Sequence, residues 1–181
     1  ALQLPPESLV VLLLGRLTRI KRPDRFAEAA RIVHQAIPNV HFVIAGSGDL
    51  ESELRASLVD LPANLLGWRS DIETLFAASD ALVLTSDNEG TPLSVIQAGL
   101  ASLPTVATRV GGLASVVDHG HTGLLVDPDA RCVANGLISL LEQPSLQRAM
   151  GGEAFRQMNA RFSTQAMIDR HADLYRRVLE T

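Results

Sequence analysis

Short apolar runs rich in branched side chains, separated by longer amphipathic stretches, dominate this sequence. Each run is nearly continuous rather than alternating, and so predicts a strand that is covered on both faces. Because helical periods lie between the runs, the sequence predicts an α/β fold: a doubly wound parallel sheet of about six strands with helices on both sides. The predicted strands span residues 9–14, 40–45, 63–68, 81–85, 105–108 and 122–126.

Helical periodicity fills the intervals between the strands and continues beyond the last one as a C-terminal helical tail. No repeat, low-complexity tract or linker divides the 181 residues, so we predict one domain spanning residues 1–181. The predicted helices span residues 22–37, 48–61, 70–79, 91–101 and 111–120, and those of the tail 130–143, 144–161 and 163–179.

Composition excludes several classes of protein. The formal net charge is −4 and the 16 basic residues are scattered, which argues against a nucleic-acid partner. The longest apolar run, residues 9–14, is far shorter than the roughly 18 to 20 residues that span a bilayer. The single cysteine, Cys132, excludes an internal disulfide, and we expect a soluble cytoplasmic protein. His119 and His121 lack further ligands at a suitable spacing, so no metal site is predicted.

In doubly wound sheets, ligands bind beyond the carboxyl ends of the strands. The loops at those ends offer Arg16, Lys21, Arg69, Glu89 and Arg109. Lys21 is the only lysine of the chain. These loops are therefore where we expect chemistry, although a solvated surface is the alternative for each cation.

The stretch GSGDLE, residues 46–51, resembles a dinucleotide-binding turn only in part. Glu51 stands where G-x-G-x-x-G requires its third glycine, and the turn follows the second strand rather than the first. We interpret it as a tight turn whose glycines lower steric bulk near a ligand or simply begin a helix.

The stretch EGTPLS, residues 89–94, predicts the start of a helix that faces the ligand. Thr91 is a favourable N-cap and Pro92 suits the first helical position. The free amides of Gly90, Thr91, Leu93 and Ser94 then point out of the sheet edge, where they can hold a phosphate.

Glu89 refines this prediction. A carboxylate is unfavourable beside phosphate but accepts hydrogen bonds from sugar hydroxyls, and phosphate with sugar indicates a sugar nucleotide. Arg16 and Lys21 would neutralise a diphosphate and stabilise the charge that builds on it as it departs. Gln97, about a turn and a half into the helix, reaches a second hydroxylated group or belongs to a solvated helix face.

Four stretches together resemble a known family. They are GRLTRIKRPDRFAEAA, FVIAGSGDLESEL, LGWRSDIETLFAASDALVLTSDNEGTPLSVIQAGLASLPTVATRVGG and VVDHGHTGLLVDPDA. In this order, from about residue 9 to 130, they resemble the C-terminal, donor-binding domain of the group 1 (family 4) GT-B glycosyltransferases. The resemblance implies the Rossmann-like half of a GT-B fold.

The resemblance also implies a function: retaining transfer of a sugar from a nucleotide-sugar donor to an acceptor hydroxyl, without metal or cofactor. The catalytic residues it implies are Glu89 at the donor sugar, with Arg16 and Lys21 at the diphosphate. The backbone of residues 90–93 would meet sugar and phosphate, Gln97 the ribose, and residues 67–69 the border of the base. The implied donor-binding residues are Gly15, Arg16, Lys21, Trp68, Arg69, Glu89, Gly90, Thr91, Pro92, Leu93 and Gln97.

Three positions depart from the family pattern. Gln97 stands where glutamate is common, which removes the charge-assisted strength of a carboxylate. Arg22 and Ser102 stand where glycine is common. We expect Arg22 to reshape the phosphate loop.

The resemblance places an N-terminal acceptor domain outside these residues, so we expect the isolated chain to bind nucleotide but to transfer little or no sugar. We also expect self-association through an apolar stripe of the last helix, comprising Met167, Leu174, Tyr175, Val178 and Leu179. Peripheral membrane association of the full-length enzyme is a further expectation. Two alternatives are a truncated, non-catalytic nucleotide-sugar-binding module and a GT-B sugar-nucleotide epimerase or hydrolase.

Overall fold

The computed structural model describes Leu4, Pro5 and residues 7–179, and its centre is a six-stranded parallel sheet. The strand order is β3-β2-β1-β4-β5-β6, so the chain reverses direction across the sheet between β3 and β4. The junction of β1 and β4 is therefore the switch point where such sheets open a crevice. The predicted doubly wound α/β fold is confirmed. The strands are β1 (Leu9–Leu14), β2 (Val40–Ala45), β3 (Ala63–Leu65), β4 (Ala81–Leu84), β5 (Thr105–Thr108) and β6 (Gly123–Val126).

Seven α-helices and two short 3-10 turns, at Arg19–Lys21 and Gly111–Ser115, connect and follow the strands in the described chain. The C-terminal helical tail is confirmed as the last three helices. None of the described helices is both long enough and apolar enough to cross a membrane. The helices are α1 (Pro23–Ala36), α2 (Glu51–Ser57), α3 (Ile72–Ala77), α4 (Leu93–Leu100), α5 (Ala130–Leu141), α6 (Pro144–Phe162) and α7 (Thr164–Leu179).

The sheet divides the apolar core into two layers. One layer packs α1, α2 and α5 against the sheet, with Phe26 and Phe42 in edge-to-face contact at 5.8 Å between ring centroids. The other layer packs α3, α4 and the turn at Gly111–Ser115 against the opposite face. Helix α6 gives Met150 to the first layer and Met158 to the second, and so links the two.

The helix predicted over residues 111–120 is wrong, because only the 3-10 turn Gly111–Ser115 forms there. Gly111 has a φ of 50°, and a Cβ on Gly112 would lie 2.1 Å from the carbonyl oxygen of Gly90. This pair of glycines packs directly on the loop after β4, which leaves no room for a regular first helical turn. The chain then turns at residues 118–122, where His121 N and Thr122 N both donate to Asp118 O.

The third strand is shorter than predicted: it ends at Leu65 rather than at residue 68. Gly67 has a φ of 66°, a left-handed conformation that ends extended structure. Its carbonyl accepts a hydrogen bond from Gly46 N at 2.7 Å, which joins the loops after β2 and β3.

The two positions where the family resemblance implies glycine are both left-handed here. Arg22 has a φ of 52° and Ser102 a φ of 58°. Glycine adopts this conformation without steric cost, whereas a residue with a Cβ does not. Both side chains therefore stand in a backbone conformation that carries a local steric cost.

Candidate functional site

A cleft of about 520 Å³ opens at the carboxyl edge of the sheet, at the junction of β1 and β4. The loops after β1, β2, β3 and β4 and the start of α4 form its walls. Gly90 alone of the predicted donor-binding residues does not line it. The other ten do: Gly15, Arg16, Lys21, Trp68, Arg69, Glu89, Thr91, Pro92, Leu93 and Gln97.

Lys21 and Glu89 form an ion pair in this cleft. Lys21 Nζ donates to Glu89 Oε1 at 2.6 Å and to Oε2 at 2.8 Å. The Glu89 side chain is only 7% exposed and that of Lys21 is 28% exposed. Ser86 Oγ donates a further hydrogen bond to Glu89 Oε1 at 2.5 Å. Two of the three predicted catalytic groups therefore neutralise each other within the protein.

Backbone contacts hold the two loops that carry this pair. The 3-10 turn at Arg19–Lys21 follows β1, and Glu89 follows β4. Thr85 Oγ1 donates to Lys21 O at 2.9 Å, and Asp87 N donates to Ile20 O at 2.8 Å. The pairing of β1 with β4 thus extends past the strands and brings the lysine to the glutamate.

The glycines of the GSG turn build the floor of the cleft by allowing close contact between loops. A Cβ on Gly46, whose φ is 138°, would lie 1.9 Å from the carbonyl oxygen of Gly15, and one on Gly48 would lie 2.4 Å from that of Leu17. Leu17 N donates to Ser47 O at 3.0 Å across the same contact. The interpretation of this turn as relief of steric bulk near the site agrees with the geometry.

Helix α4 begins two residues later than predicted, at Leu93, and Pro92 rather than Thr91 occupies the N-cap. Thr91 makes no side-chain capping bond, because the extended Pro92 separates it from the first turn. In the part of the chain that the structure describes, the amides of Gly90, Thr91, Leu93 and Ser94 have no acceptor. The predicted free amide donors are therefore present, and Pro92 at the N-cap lies between the first two and the last two of them.

Trp68 and Arg69 form the outer wall of the cleft. The Trp68 side chain is 75% exposed, which leaves a large aromatic face available to a planar group. Arg69 is held by Asp71, with Nε 2.7 Å from Oδ1. This side-chain hydrogen bond lowers the pKa of the Asp71 carboxyl and raises the pKa of the Arg69 guanidinium. Asp71 therefore fixes the direction of Arg69, a role that sequence reasoning did not assign.

Arg16 and Gln97 differ from the paired groups. Both side chains are exposed, line the cleft and have no hydrogen-bond partner among the described residues. Arg109 is not brought into the cleft, since its guanidinium donates to Leu125 O at 3.1 Å and lines a separate surface groove with His119. Arg16 is thus the cation that the protein leaves open at this site.

In the DHGH stretch, His119 has a structural role, because its Nδ1 accepts a hydrogen bond from Leu125 N at 3.0 Å. Within the described ranges, no group of three or more histidine, cysteine, aspartate or glutamate side chains is arranged to hold a metal ion.

Sequence reasoning missed Ser86, Arg25 and Asp87, which support Glu89 and its loop. Arg25 is buried, at 6% exposure, on the apolar face of α1 four residues before Ala29. A charged residue at a core position of a helix is a signal that was available in the sequence. Ser86 and Asp87 gave no such signal.

The fold and the cleft first define a class: a doubly wound α/β domain with a cationic and amide-rich crevice at its switch point. The model of the family "Glycosyl transferases group 1" matches residues 8–143. The chain therefore belongs to the group 1 glycosyl transferases.

One relative is the UDP-Gal:alpha-D-GlcNAc-diphosphoundecaprenol alpha-1,3-galactosyltransferase of Escherichia coli. It is 32% identical over 182 residues, which cover 96% of this chain and 47% of the relative. The chain thus spans about half the length of the curated relatives that it matches.

Two solved structures share the fold. The structure of HepE from Anabaena in complex with UDP-glucose has a TM-score of 0.84 and 26% identity, over 93% of this chain and 49% of that one. The C-terminal domain of LpcC, a group 1 family protein of Francisella tularensis, has a TM-score of 0.79 and 21% identity, over 86% of this chain and 87% of that one. The latter identity shows the fold alone.

Proposed function

We propose that this chain is the donor-binding half of a glycosyltransferase that moves a sugar from a nucleotide sugar to an acceptor hydroxyl, with retention and without a metal ion. The observation that carries the proposal is the Lys21–Glu89 pair, whose carboxylate is nearly buried, beside the free amides at the start of α4. Ammonium and amide groups suit a diphosphate, and a carboxylate accepts from sugar hydroxyls. One cleft thus offers partners for both halves of a nucleotide sugar.

Because Lys21 and Glu89 are paired in the free protein, the donor forms its contacts with them in a defined order. A diphosphate entering the cleft competes with Glu89 for Lys21, and Arg16 adds a cation that needs no release. Once Lys21 turns to phosphate, the Glu89 carboxylate becomes available to the sugar. Donor binding therefore converts an internal ion pair into two contacts with one ligand.

During transfer, the acceptor oxygen bonds to the anomeric carbon on the face from which the nucleoside diphosphate departs, which retains the configuration, and the hydroxyl proton passes to the departing diphosphate. Arg16, Lys21 and the amides of the α4 start stabilise the negative charge on the departing group. Catalysis by this half of the enzyme consists of positioning and electrostatic stabilisation.

Calorimetric titration of the chain with a panel of nucleoside diphosphates tests the donor site. We expect saturable binding of at least one of them, with the exposed Trp68 as a fluorescent reporter near the base. Absence of binding by every member at millimolar concentration would sink the assignment of this cleft.

The role of Glu89 is tested by comparing a nucleotide sugar with its nucleoside diphosphate. We expect Glu89→Gln to weaken binding of the nucleotide sugar more than binding of the nucleoside diphosphate. The sugar loses its hydrogen-bond acceptor, while Lys21 becomes free for phosphate. The exposed Glu28, which lies on the outer face of α1, provides the control Glu28→Gln. An equal loss of affinity for both ligands contradicts the role.

We further propose that an N-terminal acceptor-binding domain completes the cleft and that the full-length enzyme works in the cytoplasm. The partial coverage of the curated relatives supports the first proposal. Peripheral membrane association is also proposed, because the Escherichia coli relative is named for an undecaprenol-linked substrate. We also propose that the isolated chain self-associates through α7. Sedimentation of the full-length enzyme with acidic lipid vesicles tests the membrane proposal. We expect the enzyme to sediment with the vesicles, and enzyme that stays in the supernatant contradicts the proposal.

A further inference from the structure

A second set of ion pairs involves residues close in sequence to Lys21 and Glu89, and we call it the Asp87 network: Asp87, Arg22, Arg25 and Asp24. Arg25 Nη2 donates to Asp87 Oδ1 at 2.7 Å, and Arg22 Nη1 lies 3.2 Å from both Asp87 oxygens. Arg22 Nη2 also donates to Asp24 Oδ2 at 2.7 Å. The proposed reaction uses none of these side chains.

Arg25 attaches the loop after β4 to α1. Its guanidinium is almost fully buried and donates through Nη1 to Thr85 O at 2.6 Å while Nη2 holds Asp87. A planar guanidinium can span two acceptors in a fixed geometry, which a lysine ammonium cannot reproduce. Residues 85–87 are therefore held rigidly against the first turn of α1.

The network and the ion pair share the same two loops. Arg22 directly follows Lys21, and Asp87 precedes Glu89 by two residues. Arg22 keeps its contacts in a left-handed conformation that is strained for a residue with a Cβ. Contacts that persist against such strain hold the lysine loop to the glutamate loop.

Asp87 is ionised at neutral pH. Partial burial acts to raise the pKa of its carboxyl, but hydrogen bonds from Arg25 and Arg22 outweigh that effect and hold the pKa below its ordinary value. Substitution by asparagine therefore removes a full negative charge while it preserves the shape of the side chain.

We propose that Asp87 is a positioning residue: held by Arg22 and Arg25, it keeps the Lys21 loop against the Glu89 loop, so that the Lys21 ammonium stays in the cleft where a donor diphosphate enters. The diphosphate part of this inference rests on the proposed function. A role of Asp87 as a charge alone predicts the opposite result, because removing a carboxylate near an anion site strengthens anion binding. The sign of the effect on affinity thus separates positioning from simple electrostatics.

Titration with UDP, the nucleotide part of the ligand in the Anabaena structure, measures this sign. We expect Asp87→Asn to weaken UDP binding roughly three- to tenfold, as for coupled neighbouring groups. Asp24→Asn is the matched control, since the Asp24 side chain pairs with the same Arg22 but forms no hydrogen bond to a described residue of the Glu89 loop. We expect this control to bind UDP as well as the unsubstituted chain or slightly better. Unchanged or tighter binding by Asp87→Asn overturns the proposal.

The single lysine provides a second readout that needs no nucleotide. Selective isotope labelling of lysine gives one side-chain Cε resonance, which reports the Lys21–Glu89 contact directly. We expect Asp87→Asn to move this resonance toward its position in Glu89→Gln, and Asp24→Asn to leave it in place. If the resonance of Asp87→Asn coincides with that of the unsubstituted chain, Asp87 does not position the pair.

The two readouts keep this inference separate from the proposed function. If the unsubstituted chain binds neither UDP nor another nucleoside diphosphate, the proposed donor site loses its support, whereas the lysine resonance still decides whether Asp87 positions the pair. If UDP binds, a third comparison excludes general destabilisation: Asp87→Asn should lose its effect on affinity in a Lys21→Met background, which lacks the cation that Asp87 is proposed to position. An effect that persists in that background assigns Asp87 a merely structural role and overturns the proposal.

Discussion

At the scale of single residues, the site is organised by which charges are paired inside the protein and which are left open. Glu89 accepts from Lys21 and Ser86 in a nearly buried position, while Arg16 is exposed and unpaired among the described residues. A nearly buried carboxylate that loses its cation is costly, because its charge is left without a counter-charge in a poorly solvated position. The ion pair therefore contributes to stability as well as to the proposed binding of the donor.

The Lys21→Met substitution tests this contribution. We expect it to lower the free energy of unfolding at neutral pH by about 1–3 kcal/mol, because it leaves the Glu89 carboxylate with Ser86 as its remaining donor. The double variant Lys21→Met/Glu89→Gln should recover most of the loss, since a neutral amide requires no counter-charge. Urea unfolding of the two variants measures this recovery, and equal destabilisation of both contradicts the coupling.

Acid stability depends on the aspartates of the Asp87 network. The hydrogen bond from Arg22 lowers the pKa of Asp24, and bonds from Arg25 and Arg22 lower that of Asp87 despite its partial burial. The folded chain therefore binds fewer protons than the unfolded chain near the ordinary value of 3.8, and stability falls as the pH drops through and below that value. We expect the loss below about pH 4 to be shallower for Asp87→Asn than for the unsubstituted chain. Parallel curves from unfolding at a series of pH values argue against this linkage.

At the scale of elements, two adjacent glycines of α6 have opposite surroundings. A Cβ on Gly151 would lie 2.1 Å from the carbonyl oxygen of Ser102, whereas a Cβ on Gly152 meets no atom within 4 Å. The carbonyl belongs to the backbone after α4, so it cannot move aside as a flexible side chain would. The contact between α4 and α6 thus depends on one of the two glycines.

We expect Gly151→Ala to destabilise the chain by about 1–3 kcal/mol through overpacking. Gly152→Ala should stabilise it by about 0.5–1 kcal/mol, because alanine is the better helix former at an exposed position. The difference in melting temperature between these neighbouring variants is the measurement. A similar effect of both substitutions would show that α6 does not rest on the Ser102 carbonyl as described.

The elements that sequence predicted well are those whose apolar pattern decides their structure alone. The strands β1, β2 and β5 agree with prediction because continuous branched runs have few alternatives to a buried strand. Prediction failed where a loop contact overrides local preference. The segment after β5 is a 3-10 turn because Gly112 packs on Gly90, and α4 begins late because extended Pro92 continues the glutamate loop.

At the scale of the whole molecule, α7 differs from the other α-helices of the described chain, each of which contributes at least one buried residue. None of its described residues is buried, and its main packing partner among the described elements is α6. Met167 and Leu174 are seven residues apart, as are Ile168 and Tyr175, so they share one face, and their side chains are 50–64% exposed. An apolar face of this kind favours association with another surface.

We expect the isolated chain to show an apparent mass that rises with concentration in static light scattering. The double variant Met167→Glu/Leu174→Glu should remain monomeric with an unchanged melting temperature, because both side chains are exposed in the monomer. Monomeric behaviour of the unsubstituted chain across the series contradicts self-association through α7.

The residues that face the cleft could be predicted because ligand-binding loops follow a rule of topology: they lie at the carboxyl ends of strands near the switch point. The residues that support them could not, since Ser86, Asp87 and Arg25 come together only when α1 and the loop after β4 pack side by side. Arg109 shows the converse limit. It stands at a strand end yet faces another groove, because the chain turns away from the switch point after β5.

The strand order also determines when the cleft can exist during synthesis of the chain. Strand β1 pairs with β4 across a separation of 70 residues, whereas the pairing of β1 with β2 is much more local. Long-range parallel pairing is slow to form, because the entropy of closing the intervening chain is lost before the contacts are gained. A nascent chain can therefore assemble β1 to β3 first, with Lys21 already in place and no partner for it. Glu89 comes into place only when β4 pairs with β1, so the ion pair can form only after the two halves of the sheet have joined.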